Sequence, residues 1–253
     1  MKRVFITGAS SGIGAALASS YAAQGAQLAL LGRRRDALEI LQKALPGDHR
    51  IYVLDVRDRT ALHEAAHDFL AGGPVDIVIA SAGISVGTLT EELDDFDVFQ
   101  AVVATNLNAT VATFEPFIAS MKQRGSGRLV GIASVAGVRG LPGAGAYSAS
   151  KAAVRNYCES LRVELYGSGV SVVTLAPGFI ETPMTAHNPY KMPFLMPVGR
   201  FAEQAVRAIE RSASYKVIPW KMGWVGKLLR LVPDGLYDRL AARRERKPRQ
   251  NQH

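Results

Sequence analysis

The chain has 253 residues, 48% of them apolar, a net charge of +8 and a single cysteine. This length suits one large core, and the lone Cys158 excludes both an internal disulfide and a cysteine-based metal site. No apolar run approaches the roughly 18 residues of a membrane span, and Met1-Lys-Arg leads directly into a strand pattern instead of a signal peptide, so a cytoplasmic location is expected.

Residues 2–7 (KRVFIT) read as a short strand that feeds a glycine turn at Gly8, Ser10, Ser11, Gly12, Ile13 and Gly14, and residues 15–24 are helix-forming. Strand, glycine turn and helix in that order build a phosphate site. Glycines let the backbone approach the ligand closely, and free N–H groups at the helix start face the anion. The spacing Gly8-x3-Gly12-x-Gly14 differs from the longer GxGxxG fingerprint. Residues 27–31 (QLALL) form the next strand, ending at Gly32-Arg33-Arg34-Arg35, with a helix from 36 to about 45. At this edge of a nucleotide fold an acid suits a free ribose 2'-hydroxyl and an arginine suits a 2'-phosphate. Positions 32 and 33 carry no acid, so Arg33 favours NADP(H), with NAD(H) the second option. Its other reading is a solvated arginine at a helix start.

Residues 50–54 (RIYVL) form a third strand closed by Asp55-Val56, where Asp55 suits either an adenine amino group or a turn cap. A helix over 60–71 precedes the strand 75–80 (VDIVIA), whose apolar character fits a parallel sheet covered on both faces. It ends in the small-residue turn Ser81-Ala82-Gly83. Residues 91–122 read as one long helical region with Pro116 as a point for a kink. Asn106 falls mid-helix on an apolar face, where it costs stability unless its amide is used; a satisfied core amide is the plainer reading.

Residues 128–133 (RLVGIA) form a fifth strand and deliver Ser134 at its carboxyl end. A Gly/Ala-rich loop leads to Tyr147, and a helix continues through Tyr166. Tyr147 and Lys151, four apart, share one face of that helix. A lysine cation one turn away favours the phenolate of a group that otherwise titrates near pH ~10. Such a pair can move a proton to or from a carbonyl oxygen. Residues 170–175 (VSVVTL) form the sixth strand, ending in Ala176-Pro177-Gly178, and residues 215–219 (YKVIP) are strand-like again. The alternation predicts an α/β fold: a doubly wound, Rossmann-like parallel sheet of about seven strands with helices on both faces. Residues 1–219 are read as one dinucleotide-binding catalytic domain with a substrate lid at about 179–200, and residues 220–253 as a basic amphipathic extension.

Taken together, these pieces resemble the short-chain dehydrogenase/reductase family over roughly residues 2–200: TGASSGIG at 7–14, Asp55-Val56, Ala82-Gly83, Asn106, Ser134, YSASK at 147–151 and Pro177-Gly-Phe-Ile-Glu-Thr182. The resemblance implies that Tyr147 donates the proton during ketone reduction while Ser134 stabilises the same carbonyl oxygen. It implies that Lys151 lowers the tyrosine pKa and holds the nicotinamide ribose, and that Asn106 positions a water on a path from Lys151 to solvent. It also places Pro177, Gly178, Ile180 and Thr182 beside the nicotinamide, and makes a homo-oligomer through the helices around Asn106 and Tyr147 the expected assembly. The chain departs from the family at Ala80-Ser81, where two asparagines are usual, and in lacking a glycine-rich end after the seventh strand. A nucleotide-sensing protein of the same fold without redox turnover is the alternative, and the intact set Asn106, Ser134, Tyr147 and Lys151 argues against it.

The lid holds Met184, Tyr190, Met192, Phe194, Leu195 and Met196, which suit a lipophilic substrate such as a keto-lipid or steroid-like ketone, or serve only to pack the lid on the core. Residues 201–212 read as a helix. From Ser214 onward there are ten Lys/Arg and three Asp/Glu, so most of the net charge belongs to the end of the chain. As a helix, residues 220–232 align Trp220, Trp224, Leu228 and Leu231, with Lys227 and Arg230 towards the other side. That pattern suits peripheral contact with a membrane, with the run Arg243-Arg-Glu-Arg-Lys247 drawn to anionic headgroups. Packing on the core or on a second subunit, followed by a disordered tail, is the alternative. The body offers no basic face, so nucleic acid is not an expected partner.

Overall fold

The computed structural model describes residues 1–186, 188–242 and 245–249. Seven strands form one sheet: β1 (Arg3–Thr7), β2 (Gln27–Gly32), β3 (Arg50–Val53), β4 (Ile77–Ala80), β5 (Gly127–Ile132), β6 (Val170–Pro177) and β9 (Tyr215–Ile218). Their order is β3-β2-β1-β4-β5-β6-β9 and every pairing is parallel. A second, two-stranded sheet, β7 (Ile180–Glu181) with β8 (Met196–Pro197), ties the two ends of the lid together. Strands this short carry no sequence period that could reveal them.

Side chains alternate across the central strands, and this sorts the helices into two layers. Val4, Ile6, Leu28 and Leu30 face α1 (Gly12–Ala22), α2 (Arg35–Ala44) and α7 (Val198–Glu210). Phe5, Ala29 and Leu31 face α3 (Arg59–Ala71), α5 (Ala109–Arg124) and α6 (Gly145–Glu164). On that side the Phe5 ring meets Phe69 and Phe117 at centroid distances of 6.2 and 4.9 Å. Each of these buried rings contributes roughly 1.5–3 kcal/mol through removal from water. The chain winds outward from β1 to β2 and β3, then returns to the opposite side of β1 with β4. The helices that follow β1 and β4 therefore lie on opposite faces of the sheet, and this switch point is where open sheets of this kind leave a crevice.

Three stretches differ from the sequence expectation. Helix α1 begins at Gly12, inside the glycine turn, because the small residues there pack directly on the preceding backbone. The region expected as one long helix is α4 (Asp95–Val103), one widened π-helical turn (Ala104–Asn108) and then α5, with Pro116 inside α5. Asn106 sits in the widened turn.

The third difference is the end of the chain, which folds as α8 (Trp220–Leu231) and α9 (Asp234–Ala241) and docks on the body. Arg139 donates to the carbonyls of Leu229 and Val232 at 2.5 and 2.7 Å, pairs with Asp234 at 2.6 Å and lies 3.9 Å from the Tyr237 ring centroid. Further on, Lys247 donates to Ser85 Oγ at 2.8 Å, the Gly87 N–H donates to Pro248 O at 2.9 Å, and Arg249 pairs with Asp95 at 2.8 Å and Glu92 at 3.1 Å. Lys247 is thus held against the body instead of being free for headgroups; Arg243 and Arg244 of the same basic run lie outside the described residues. Trp220, Trp224, Leu228 and Leu231 do share one exposed face, at 61, 58, 62 and 80% exposure. Lys227 is on the tryptophan side, 5.0 Å from the Trp224 ring, because seven residues complete nearly two helical turns from Trp220.

Candidate active site

A cavity of 380 Å³ opens at the switch point, lined by the ends of β1, β2, β4, β5 and β6 and by the lid. Its floor is the glycine turn. Gly8 adopts φ +68°, and a Cβ there would lie 2.7 Å from Ala82 Cα, so the turns after β1 and β4 are packed backbone to backbone. A Cβ on Gly14 would run into the carbonyl of Gly8. Thr7 Oγ1 accepts from the N–H groups of Ser81 and Ala82 at 3.2 and 3.3 Å and locks the two turns together. The contacts at Ser81 are made by its backbone, so the departure from asparagine leaves this junction intact.

One end of the cavity carries Gly32, Arg33, Arg34, Asp55 and Val56. Arg33 is exposed and makes no ion pair among the described residues, whereas Arg34 donates to Ser10 O at 2.9 Å and braces the glycine turn. The three consecutive arginines signalled a cationic corner but not which of them would be tied down. Asp55 is partly engaged: Arg57 pairs with it at 2.7 Å and, through that hydrogen bond, holds its carboxyl below the usual range.

The other end carries Ser134, Tyr147 and Lys151. Ser134 caps a short turn of 3-10 helix (Val135–Gly137): its Oγ accepts from the Ala136 N–H at 3.1 Å and donates only a long bond, to Pro177 O at 3.5 Å. Tyr147 stands in the first turn of α6, half-buried. Lys151, one turn later, is buried and its Nζ donates to Ile132 O at 2.8 Å, 5.9 Å from the Tyr147 ring centroid. Burial pushes the Tyr147 phenol up, against the opposing pull of its hydrogen bond with Ser134, and pushes the Lys151 ammonium down to about 8. In the cofactor-free site, burial is the largest influence on both groups, and the lysine is not among the causes that act on the phenol.

Asn106 is fully buried and is the one predicted site residue that does not line the cavity; its neighbour Thr105 does. Its Oδ1 accepts from the Ile84 N–H at 2.8 Å, and its Nδ2 donates to Ile84 O and to Ser150 Oγ, both at 3.0 Å. The amide thus clips the segment after β4 to α6, with both Nδ2 protons used and one lone pair of Oδ1 left to accept. Pro177, Gly178, Ile180 and Thr182 line the cavity under the lid. There Thr185, which the sequence did not single out, accepts from the Thr182 N–H at 3.1 Å and donates to Ile180 O at 2.6 Å.

The cavity fits an extended dinucleotide: a glycine cradle for a pyrophosphate, an unpaired guanidinium at one end, and a hydroxyl, a phenol and an ammonium at the other. Among the described residues no group of three or more His, Cys, Asp or Glu could hold a metal ion. No helix among them is long and apolar enough to cross a membrane.

The sequence profile described as short chain dehydrogenase matches residues 2–192. An uncharacterized oxidoreductase of Myxococcus xanthus is 37% identical over 247 residues, covering 96% of this chain and 97% of that one. The 2-dehydro-3-deoxy-L-rhamnonate dehydrogenase (NAD(+)) of a Sphingomonas species is 39% identical over 200 residues, covering 77% and 80%. Among solved structures, a 3-oxoacyl-[acyl-carrier protein] reductase with bound NAD from Brucella melitensis superposes with a TM-score of 0.76 at 27% identity, covering 86% of this chain and 89% of that one.

Proposed function

Because the chain belongs to the short-chain dehydrogenase/reductase family, and is a nicotinamide-dependent oxidoreductase of it, we propose that it interconverts a lipophilic ketone and a secondary alcohol with NADP(H). The observation that carries this reading is one cavity that holds Ser134, Tyr147 and Lys151 at one end and Arg33, unpaired among the described residues, at the other. Arg33 supports NADP(H), since its guanidinium is free to take a 2'-phosphate. The exposed apolar groups Met184, Phe194 and Leu195 on the lid support a lipophilic substrate.

The glycine turn, Arg33, Lys151 and Thr182 would hold NADP(H), which would supply or accept the hydride when bound. The protein's own residues manage the oxygen. Ser134 Oγ, already accepting from Ala136, turns its proton towards the substrate carbonyl. Tyr147 remains a phenol at neutral pH because burial raises its pKa, and it gives its proton to that same oxygen as negative charge develops there. The Lys151 ammonium, anchored on Ile132 O, then stabilises the phenolate left behind. In the oxidative direction the phenolate is the required form, so alcohol oxidation gains with rising pH.

A homo-oligomer is supported by the exposed Phe96 and Phe99 on α4 and Val163 on α6. Peripheral membrane contact is supported by the exposed Trp/Leu face of α8. The test is a panel of ketones and alcohols with NADPH and NADH, on wild type and Tyr147→Phe. Turnover of at least one lipophilic ketone with NADPH is expected, and the variant loses about 10²–10⁴-fold with an unchanged melting curve. A variant that keeps near-wild-type rates would remove Tyr147 from the mechanism.

A further inference from the structure

A second cavity, of 460 Å³, lies behind the turn that carries Ser134, between that turn, α6, β9 and α8. Its charged lining consists of Arg155, Lys216, Lys227 and Arg230, with no carboxylate among them. None of the four makes an ion pair among the described residues, although elsewhere Arg57, Arg59 and Arg128 each meet an acid. Arg155 and Lys227 rest instead against the rings of Tyr215 and Trp224, both at 5.0 Å. Four uncompensated cations around one hollow repel one another, and an entering anion converts that repulsion into attraction.

The rest of the lining is apolar and aromatic, and Trp220 and Trp224 belong both to it and to the exposed stripe of α8. The hollow is therefore continuous with an uncovered hydrophobic surface. A soluble anion uses only the cations, whereas a lipid with an acidic headgroup uses both: phosphate in the hollow, acyl chains along the stripe. We propose that this cavity is a headgroup site for an anionic phospholipid of a bilayer surface. The proposal deepens, and rests on, the reading of α8 as a membrane-contacting face. Its placement also matters for the site. Val135 and Val138 line the hollow directly after Ser134, and Gly226 of α8 packs on Val138, so a docked bilayer lies beside the catalytic turn.

Vesicle flotation tests it, with phosphatidylcholine alone and with phosphatidylcholine containing phosphatidylglycerol, using the full chain. Wild type is expected to float with the anionic vesicles and weakly with the neutral ones. The double variant Lys227→Ala, Arg230→Ala loses about thirtyfold in partitioning on anionic vesicles, two basic groups at about 1 kcal/mol each, and is unchanged on neutral ones. Trp224→Ser weakens binding to both. Melting curves and NADPH titrations equal to wild type show that the variants are folded. Equal wild-type partitioning on the two vesicle types removes the headgroup site and leaves the surface contact; no flotation on either removes both. Calorimetric binding of inorganic phosphate without flotation gives the cavity to a soluble anion and overturns the lipid.

Discussion

Lys151 illustrates how far local pattern carries at the scale of one residue. Its spacing from Tyr147 is legible in the sequence, but the balance between charge and desolvation is not, because that depends on what β5 and the turn after β4 bring around the ammonium. Burial lowers its folded-state pKa to about 8, against 10.5 in an open chain. Between those values the unfolded chain binds more protons than the folded one, so stability rises with pH across that window, and the full cost of the buried cation is present below it. Lys151→Met removes the cost. It is expected to be more stable than wild type near pH ~7, on the order of 2–3 kcal/mol in the cofactor-free protein, and to have a flatter profile towards alkaline pH. Denaturant unfolding at several pH values measures this; parallel profiles for the two proteins would refute it. Arg33 is a simpler case. The absence of an acid at the end of β2 could be read directly, whereas the different fates of Arg33 and Arg34 required the fold.

Among the elements, the strands and most helices of the sheet follow their hydrophobic periods, so their order along the chain and even the placement of the candidate site at the carboxyl ends were readable. The π-helical turn was not. It inserts one residue into a continuous helical pattern, and nothing in Ala104–Asn108 announces it except an asparagine in an apolar setting. The turn moves Asn106 to where it reaches both Ile84 and Ser150, which makes it a positioning residue for the segment that walls the cavity. Asn106→Ala leaves the Ile84 N–H and C=O without their side-chain partner, at roughly 1–3 kcal/mol for each buried group left unpaired. The expected result is lower stability and a weaker NADPH affinity. Asn106→Asp, which can still accept from Ile84, should fall between. If both variants bind NADPH as wild type does, the clip has no role in shaping the site.

For the whole molecule, the described part of the basic end of the chain packs on the body, the alternative that the sequence left open beside membrane contact. Composition revealed its charge but not its partners, because Ser85, Gly87, Glu92 and Asp95 lie more than a hundred positions earlier. Asp95 is only 2% exposed, and Arg249 holds its carboxyl below the usual range by hydrogen bonding. That contribution is present above the ordinary aspartate pKa and fades as pH falls through the lowered one. Arg249→Ala should therefore lower the melting temperature at neutral pH, with the gap to wild type closing in acid. It should also speed proteolysis of the segment between Ile84 and Asp95; identical melting and cleavage would leave the strap without a structural role. The strap also sets an order of events during synthesis. A chain made at about 5–20 residues per second adds Tyr147 about 5–20 s, and the last strand β9 a few seconds, before Lys247 and Arg249. Ser85 and Gly87, in the segment after β4, thus receive their partners Lys247 and Pro248 only after the strands and helices that frame the cavity have been made, so its wall is fixed later than its floor.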